Sequence, residues 1–563
     1  MKFKDYRYHR PDIENYQEKI SDLLEKIGGN VDEETELKAI HEFFDLNDQL
    51  DSMATLVSIR NSLDTKDEFY QKEQDFFDEN GPKLQMYNNL FSKQLIASKN
   101  RKFLEEKLGQ LIFKQAELQE KTFSEEIIPD LQKENKLSTK YSKLLAGAEI
   151  EFEGKIYNLT QMGPFLQSLD RDTRHKAQLK TSQFFEENEK EIDQIYDDMV
   201  KVRHKIAKTL GYENYVQLGY DRLGRTDYNH KDVKNYRDQI YNEVVPLVKE
   251  LVERKAKRIG IENPKSYDLA LSFKTGNPTP KGDLNWQVNI AKNMYEEMSK
   301  ETGEFFNFML EHELLELDSK PGKAGGGYCT YIPNYKSPFI FANFNGTSHD
   351  VNVLTHEAGH AFQIYSSQEQ IPSYRWPTME AAEIHSMSME FLAWPWIDGF
   401  FKEDTDKYKF YHLDSSLSFL PYGVAVDEFQ HEVYNKPEMT PDQRKATWRK
   451  IEKKYLPFKD YDDDHFMEKG TYWFKQGHIF SVPFYYIDYT LAQVLAFQFF
   501  VLSQENHELA LDKYIKLCRL GGSKSFVDLV ESTKLNNPFK KGTIKSVIEP
   551  IKAFLDQVND QDL

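Results

Sequence analysis

The stretch VNVLTHEAGHAFQ, residues 351–363, sets two histidines four positions apart with a glutamate directly after the first. On a helix, positions i and i+4 share a face about 6 Å apart, so His356 and His360 can aim ring nitrogens at one ion. Zinc suits such a pair, at Zn–N distances of about 2.0–2.1 Å. Glu357 would then face the water that the ion activates rather than bind the ion, which is the layout of a hydrolytic base. Such a site needs a third protein ligand and an open corner. PTMEAAEIHSMSMEFLAW, residues 377–394, offers candidates. As a helix it puts Glu383, Ser386 and Glu390 on one face, with Glu380 nearby and His385 turned away. Glu383 is the expected ligand, because its small neighbours Ala381 and Ala382 allow a close approach, and Glu380 is its rival. Glu390 and Ser386 are outer groups that could orient a histidine, and His385 reads as a surface or core residue.

These side chains need elements to carry them. Leu354, Ala358, Ala361, Phe362 and Tyr365 form an apolar stripe that can anchor the first helix, and Thr347 with Asp350 can cap its start. Gly359 costs a helix interior roughly 1 kcal/mol against alanine, so another backbone or a ligand is expected to come close there. Upstream, glycines and prolines bracket FIFANF, residues 339–344, a short extended run, and Gly325, Gly326 and Gly327 suggest a mobile loop. Residues 11 to about 145 are helix-like. EIEFEGKIYNL, 149–159, alternates around a Glu-Gly turn as a small hairpin, and a helix follows Gly163-Pro164. A boundary near 165 divides an N-terminal helical lobe, 1–165, from a catalytic helical domain, 166–563. Long helical patterns over 191–211 and 233–260 each end at a glycine suited to a helix C-terminus. KDYDDDHF, 459–466, reads as a solvated loop.

Composition bounds the rest. The chain has 563 residues, enough for more than one lobe, and its 39 Phe and 32 Tyr point to a folded, aromatic-rich interior. A net charge of −19 argues against nucleic-acid and anionic-membrane surfaces and favours cationic or neutral ligands. The N-terminus lacks a signal-type apolar core and no uninterrupted apolar run reaches membrane-spanning length, so the cytoplasm is the expected address. Two cysteines, Cys329 and Cys518, are too few for a disulfide framework or a thiolate zinc site, which leaves nitrogen and oxygen ligands for any metal.

Several motifs together resemble one family. GKAGGGYCTYIP, FIFANFNGTSHDVNVLTHEAGHAFQ, EAAEIHSMSMEFLAW and WFKQGHIFSVPFYYIDYTLAQ, with EFEGKIYNLTQMGPFLQSLDRDTRHKA earlier, are similar to the M3 zinc metallopeptidases, in the oligoendopeptidase F-like branch. Residues 1 to about 140 match in helical character alone. The resemblance implies one zinc per chain held by His356, His360 and Glu383, with Glu357 as general base. It further implies that His478, Tyr486 and Tyr489 hold the substrate and the oxyanion. Locally, Pro483 suits a helix start, after which Tyr486 and Tyr489 share a face; Tyr485 and Tyr489 make nearly as good a pair, and spacing does not choose.

The implied fold is mainly α: a two-lobed, zincin-like helical body with a deep channel and a small β element near the site, admitting short unfolded oligopeptides. FIFANF would be an edge strand for an extended peptide, and the glycine loop would close over it. The expected activity is endopeptidase cleavage of internal bonds. A zinc exopeptidase or dipeptidase of related architecture, or a non-catalytic peptide-binding protein, are the alternatives.

Overall fold

Asp12, Asp32 and Asp67 each accept backbone N–H bonds at the start of a helix, and the helices Ile13–Lys26, Glu33–Leu63 and Glu68–Ala97 follow them. A carboxylate there satisfies donors that the first turn leaves free and complements the helix dipole. The computed structural model describes residues 1–563 apart from Thr160, Pro321 and Gly325, and leaves aside the side chains of Asp78, Pro82, Lys83, Gln85 and Ala146. The glycine-loop expectation therefore falls partly outside the described residues. The N-terminal helices bury their own core around Ile20, Phe43, Phe91, Leu95 and Phe113, with Phe43 stacked on Phe91 at 4.3 Å. Tyr374 joins it from far along the chain, its hydroxyl accepting the Ile112 N–H at 2.9 Å.

A second, much larger core runs through the rest of the chain and takes in the first residues as well. Phe3 lies 4.5 Å from Phe339, ring to ring, and the Tyr6 hydroxyl meets Ser337 Oγ at 2.6 Å. Where the hairpin was expected, β1 (Ile150–Phe152) and β2 (Lys155–Tyr157) pair antiparallel. Glu153 and Gly154 both take positive φ in the turn, the geometry a two-residue hairpin requires.

A three-stranded sheet is ordered β3 (Leu315–Glu316), β5 (Ser337–Phe341), β4 (Tyr328–Ile332). β3 runs parallel to β5 and β4 antiparallel to it, with Cys329 opposite Ile340. This corrects the edge-strand expectation. FIFANF enters the sheet as part of the middle strand, buried at all five strand positions, and the edges belong to β3 and β4. An unbroken apolar run suits a strand covered on both faces, whereas an edge strand tolerates the polar alternation of YCTYI.

Over 233–260 the single helical pattern resolves into His230–Gln239, a π-helical turn at Ile240–Val244 and Val245–Ile259. Pro246 explains the wide turn, since it lacks an N–H and its ring would clash with the carbonyl four residues back.

Four helices frame the cleft described below. They are the HExxH helix Ser348–Ser367, the Glu383 helix Met379–Leu392, the long helix Thr405–Asn435 and the tyrosine helix Tyr486–Glu505. The tyrosine helix packs along both the Glu383 helix and the long helix. Among the described residues it is the one helix long and apolar enough to cross a membrane, but 67% of its apolar window is buried inside the protein. Its apolarity is used in packing.

Candidate active site

The HExxH and Glu383 helices meet where Gly359 has no side chain. A Cβ on Gly359 would lie 2.6 Å from the His385 carbonyl oxygen and 2.7 Å from Ser386 Cα, so the glycine is what lets the two backbones touch. Leu354, Ala358, Ala361 and Phe362 are buried as the stripe required, while Tyr365 is partly buried. The cap differs from the expected one. Thr347 makes no side-chain cap, and Asp350 instead accepts the N–H groups of Asn345 and Gly346 at 2.9 and 2.7 Å, fixing the loop ahead of the helix.

This contact brings the three expected ligands together. Ligand atoms of His356, His360 and Glu383 lie within 4.8 Å of one another. Both Nε2 atoms face Glu383 Oε2, at 3.4 Å from His356 and 3.6 Å from His360. Burial alone would raise the Glu383 pKa, but its hydrogen bonds to the two histidines outweigh that and hold the carboxyl well below the usual carboxylate range. Burial likewise disfavours a charged His356, yet Glu383 and Glu390 raise its pKa well above the ordinary value. The pocket therefore calls for positive charge among its donors, which a proton or a divalent cation supplies.

The outer contacts fix which nitrogen is free. Trp394 Nε1–H, which can only donate, binds His412 Nδ1 at 3.0 Å, so a neutral His412 carries its proton on Nε2 and gives it to Glu390 Oε2 at 2.9 Å. The other oxygen of Glu390 takes the Nδ1–H of His356 at 2.8 Å. When a cation supplies the positive charge, a neutral His356 with its Nδ1 proton on Glu390 keeps an Nε2 lone pair facing Glu383, the form a metal needs. Burial pushes Glu390 up, but its two histidine partners win and bring it down to about 2. Ser386 donates to Glu383 Oε2 at 3.0 Å, so it steadies the carboxylate rather than a histidine. Glu380 is buried away from these donors near Arg225, and His385 is a fully buried core residue with Nδ1 on the Ala381 carbonyl.

Glu357 lines a cleft of roughly 670 Å³ together with His356, His412, His478, Tyr486 and Tyr489. It is 8% exposed, and its buried Oε2 has no hydrogen-bond partner among the described residues, so the carboxylate is not tied up by the protein around it. The rings of Tyr485, Tyr486 and Tyr489 stand 5.8, 5.0 and 5.7 Å from that of His478. Spacing left the tyrosines unresolved, and here they divide. Tyr485 is buried and donates to Glu383 Oε1 at 3.2 Å, whereas Tyr486 and Tyr489 line the cleft. Burial, then the charge of Glu383, pushes Tyr489 up to about 12, and burial lowers His478. Both are neutral near pH 7, with protons to donate. Sequence reasoning missed His412 and Trp394, whose types carry no spacing signal, and missed the role of Tyr485.

The donor set of two imidazole nitrogens and one carboxylate fits a zinc-type metal, and the Glu357 carboxylate lining the cleft beside it fits a general base.

Comparisons with known proteins place the chain in a family. Residues 3–123 match the family described as Peptidase M3 N-terminal domain, and residues 165–548 match the one described as Peptidase family M3. The chain is 26% identical over 407 residues to an oligoendopeptidase F homolog of Borreliella burgdorferi, covering 70% of this chain and 66% of that one, just under two thirds of the relative's length. It is similar in structure to Pz peptidase A with an inhibitor, at 52% identity and a TM-score of 0.94 over 100% of both chains. A Bacillus anthracis oligoendopeptidase F candidate is also 52% identical, with a TM-score of 0.89 over 100% of this chain and 99% of that one.

Proposed function

The chain belongs to peptidase family M3, and from that premise we propose that it is a zinc-dependent endopeptidase that cuts internal bonds of short, unfolded oligopeptides. The observation that carries this reading is the convergence of His356, His360 and Glu383 beside the unpartnered Glu357 carboxylate. Zinc held by those three residues would polarise the scissile carbonyl and make an attacking water acidic enough to lose its proton near neutral pH.

Glu357 receives that proton on its carboxylate and passes it to the departing amine nitrogen. His478, with Tyr486 and Tyr489, donates hydrogen bonds to the oxygen that becomes negative as the carbonyl carbon turns tetrahedral, and the neutral state of His478 and Tyr489 supports this role. Tyr485 acts one step back, holding Glu383 Oε1 while Ser386 holds Oε2. The Trp394–His412–Glu390 chain keeps His356 in its metal-binding tautomer. The cytoplasmic address belongs to the same proposal, and two unpaired thiols, Cys329 and Cys518, suit a reducing compartment.

The test is metal content by elemental analysis, followed by digestion of end-blocked oligopeptides before and after chelation. One zinc per chain and internal cuts that stop on chelation are expected. Cleavage that requires a free peptide terminus would overturn the endopeptidase reading, and chelation-resistant cleavage would overturn the metal.

A further inference from the structure

His478 hydrogen-bonds through Nδ1 to Gln476, whose side-chain nitrogen lies 2.8 Å away. The other end of that amide, Oε1, accepts the Tyr422 hydroxyl at 2.8 Å. Tyr422 is partly buried among aromatic edges: Trp448 at 6.2 Å and Tyr472 and Tyr486 at 5.8 Å, ring to ring. Gln476 is its one hydrogen-bond partner among the described residues.

The direction of the chain follows from donor chemistry. The phenol shares a cavity with Lys459 and Lys475, whose ammonium groups can only donate, and among the described residues its proton is accepted by Gln476 Oε1. Reversing the amide would turn its NH₂ toward the phenol oxygen and leave the phenol proton unpaired. With Oε1 committed to Tyr422, the NH₂ group faces His478 Nδ1. An amide nitrogen cannot accept, so Nδ1 must be the lone-pair nitrogen, and the single proton of the neutral ring sits on Nε2.

We propose that Tyr422 and Gln476 are positioning residues that fix His478 as an Nε2–H donor aimed into the cleft. The proposal rests on the reading of His478 as the oxyanion donor. It assigns to the site two residues that touch neither substrate nor metal. It mirrors the His356 side, where Trp394, His412 and Glu390 select the opposite tautomer, Nδ1–H, so that Nε2 can bind a cation. Two histidines of one site thus receive opposite tautomers, one set by a carboxylate that accepts from Nδ1 and the other by an amide that donates to it. Gln476 is the one residue between Tyr472–Lys475 and Gly477–Ser481, and His478 is the second residue of the latter, so a separation of two residues brings the amide to the ring.

A neutron structure of the deuterated zinc-loaded protein tests the tautomer without reference to turnover. Deuterium on His478 Nε2 and none on Nδ1 is expected. Deuterium on Nδ1 of the neutral ring overturns the proposal. In Gln476→Glu, whose carboxylate accepts from Nδ1 in the same volume, Nδ1 should gain a deuteron, and an unchanged ring would overturn it. Kinetics supply the second arm. Gln476→Met keeps the bulk and loses the donor, and should lower kcat about tenfold with KM within about twofold. Tyr422→Phe, which frees the amide to turn, should cost less than Gln476→Met, and equal or greater loss in the phenylalanine variant counts against the chain. His478→Ala separates the two readings. It should cost about 100-fold in kcat. If it does not, the oxyanion role falls while the neutron result still stands or fails by itself.

Discussion

Glu357 lines the cleft, and its buried Oε2 has no hydrogen-bond partner among the described residues, which is costly. Glu357→Gln keeps the shape and removes the basicity. Hydrolysis should fall by about 1000-fold or more while one zinc per chain remains, read from turnover and metal content on the same preparation. Substantial residual turnover would remove the base assignment. His412→Phe tests the outer chain. The ring is buried and stacked on Phe391 at 4.5 Å, so phenylalanine preserves the packing and deletes the N–H to Glu390. Zinc affinity, measured by competition with a chelator, should weaken about tenfold, and an unchanged affinity would show that Glu390 orients His356 unaided. The pairing of His356 with His360 and the place of Glu357 beside them were legible in the sequence because one helix carries them at a fixed spacing. Glu383 was legible because its helix offered only a few acids on one face. His412 was not, since it arrives from a separate helix on a mostly buried face where a histidine resembles packing. Tyr485 and Tyr486 are adjacent, so only the rotation of their helix decides which one meets Glu383.

Gly359 shows how two helices make a site that neither has alone. Helix propensity favours alanine there by about 1 kcal/mol, whereas contact with the His385 backbone opposes it. The backbone cannot step aside as a flexible side chain can, so packing decides the sign. Gly359→Ala should destabilise the fold by about 1–3 kcal/mol in urea unfolding and weaken zinc binding as the helices part. A more stable variant would mean that the helices do not touch there. The glycine was readable as a sign of close approach, but its partner was not. The strand run FIFANF was readable as extended, but its place in the sheet was not, because order depends on the parallel pairing with Leu315–Glu316 far upstream. The π-helical turn before Pro246 escaped the reading for a related reason, since apolar periodicity runs on across one extra residue.

Across the whole molecule, buried ion pairs tie segments far apart in sequence, and none of these pairings was visible beforehand. Asp427, on the long helix, is fully buried and takes a 2.5 Å bond from Arg237, with His431 beside it. Burial raises its pKa, but His431 and Arg237 outweigh that and lower it from 3.8 to about 2. A depressed carboxyl stabilises the fold fully above its unfolded value and loses that contribution as pH falls through the folded one. Between pH 4 and pH 2 the wild type should therefore lose about 2 kcal/mol from this group, while Asp427→Asn, already less stable at pH 7, should not. The gap between the two in denaturant unfolding should narrow over that window, and a constant gap would mean that the carboxylate is not held by its partners. The helical character, the hairpin and the likeness of the catalytic half were legible from the chain. The separate N-terminal core and the return of Phe3 and Tyr6 to the sheet were not, because both depend on contacts hundreds of residues apart. The most direct measurement is X-ray absorption at the zinc edge of the metal-loaded protein. Two imidazole nitrogens and oxygen donors at about 2.0–2.1 Å, with one imidazole lost in His360→Ala, is the expected spectrum. A sulfur scatterer, or a shell that His360→Ala leaves unchanged, would contradict the site.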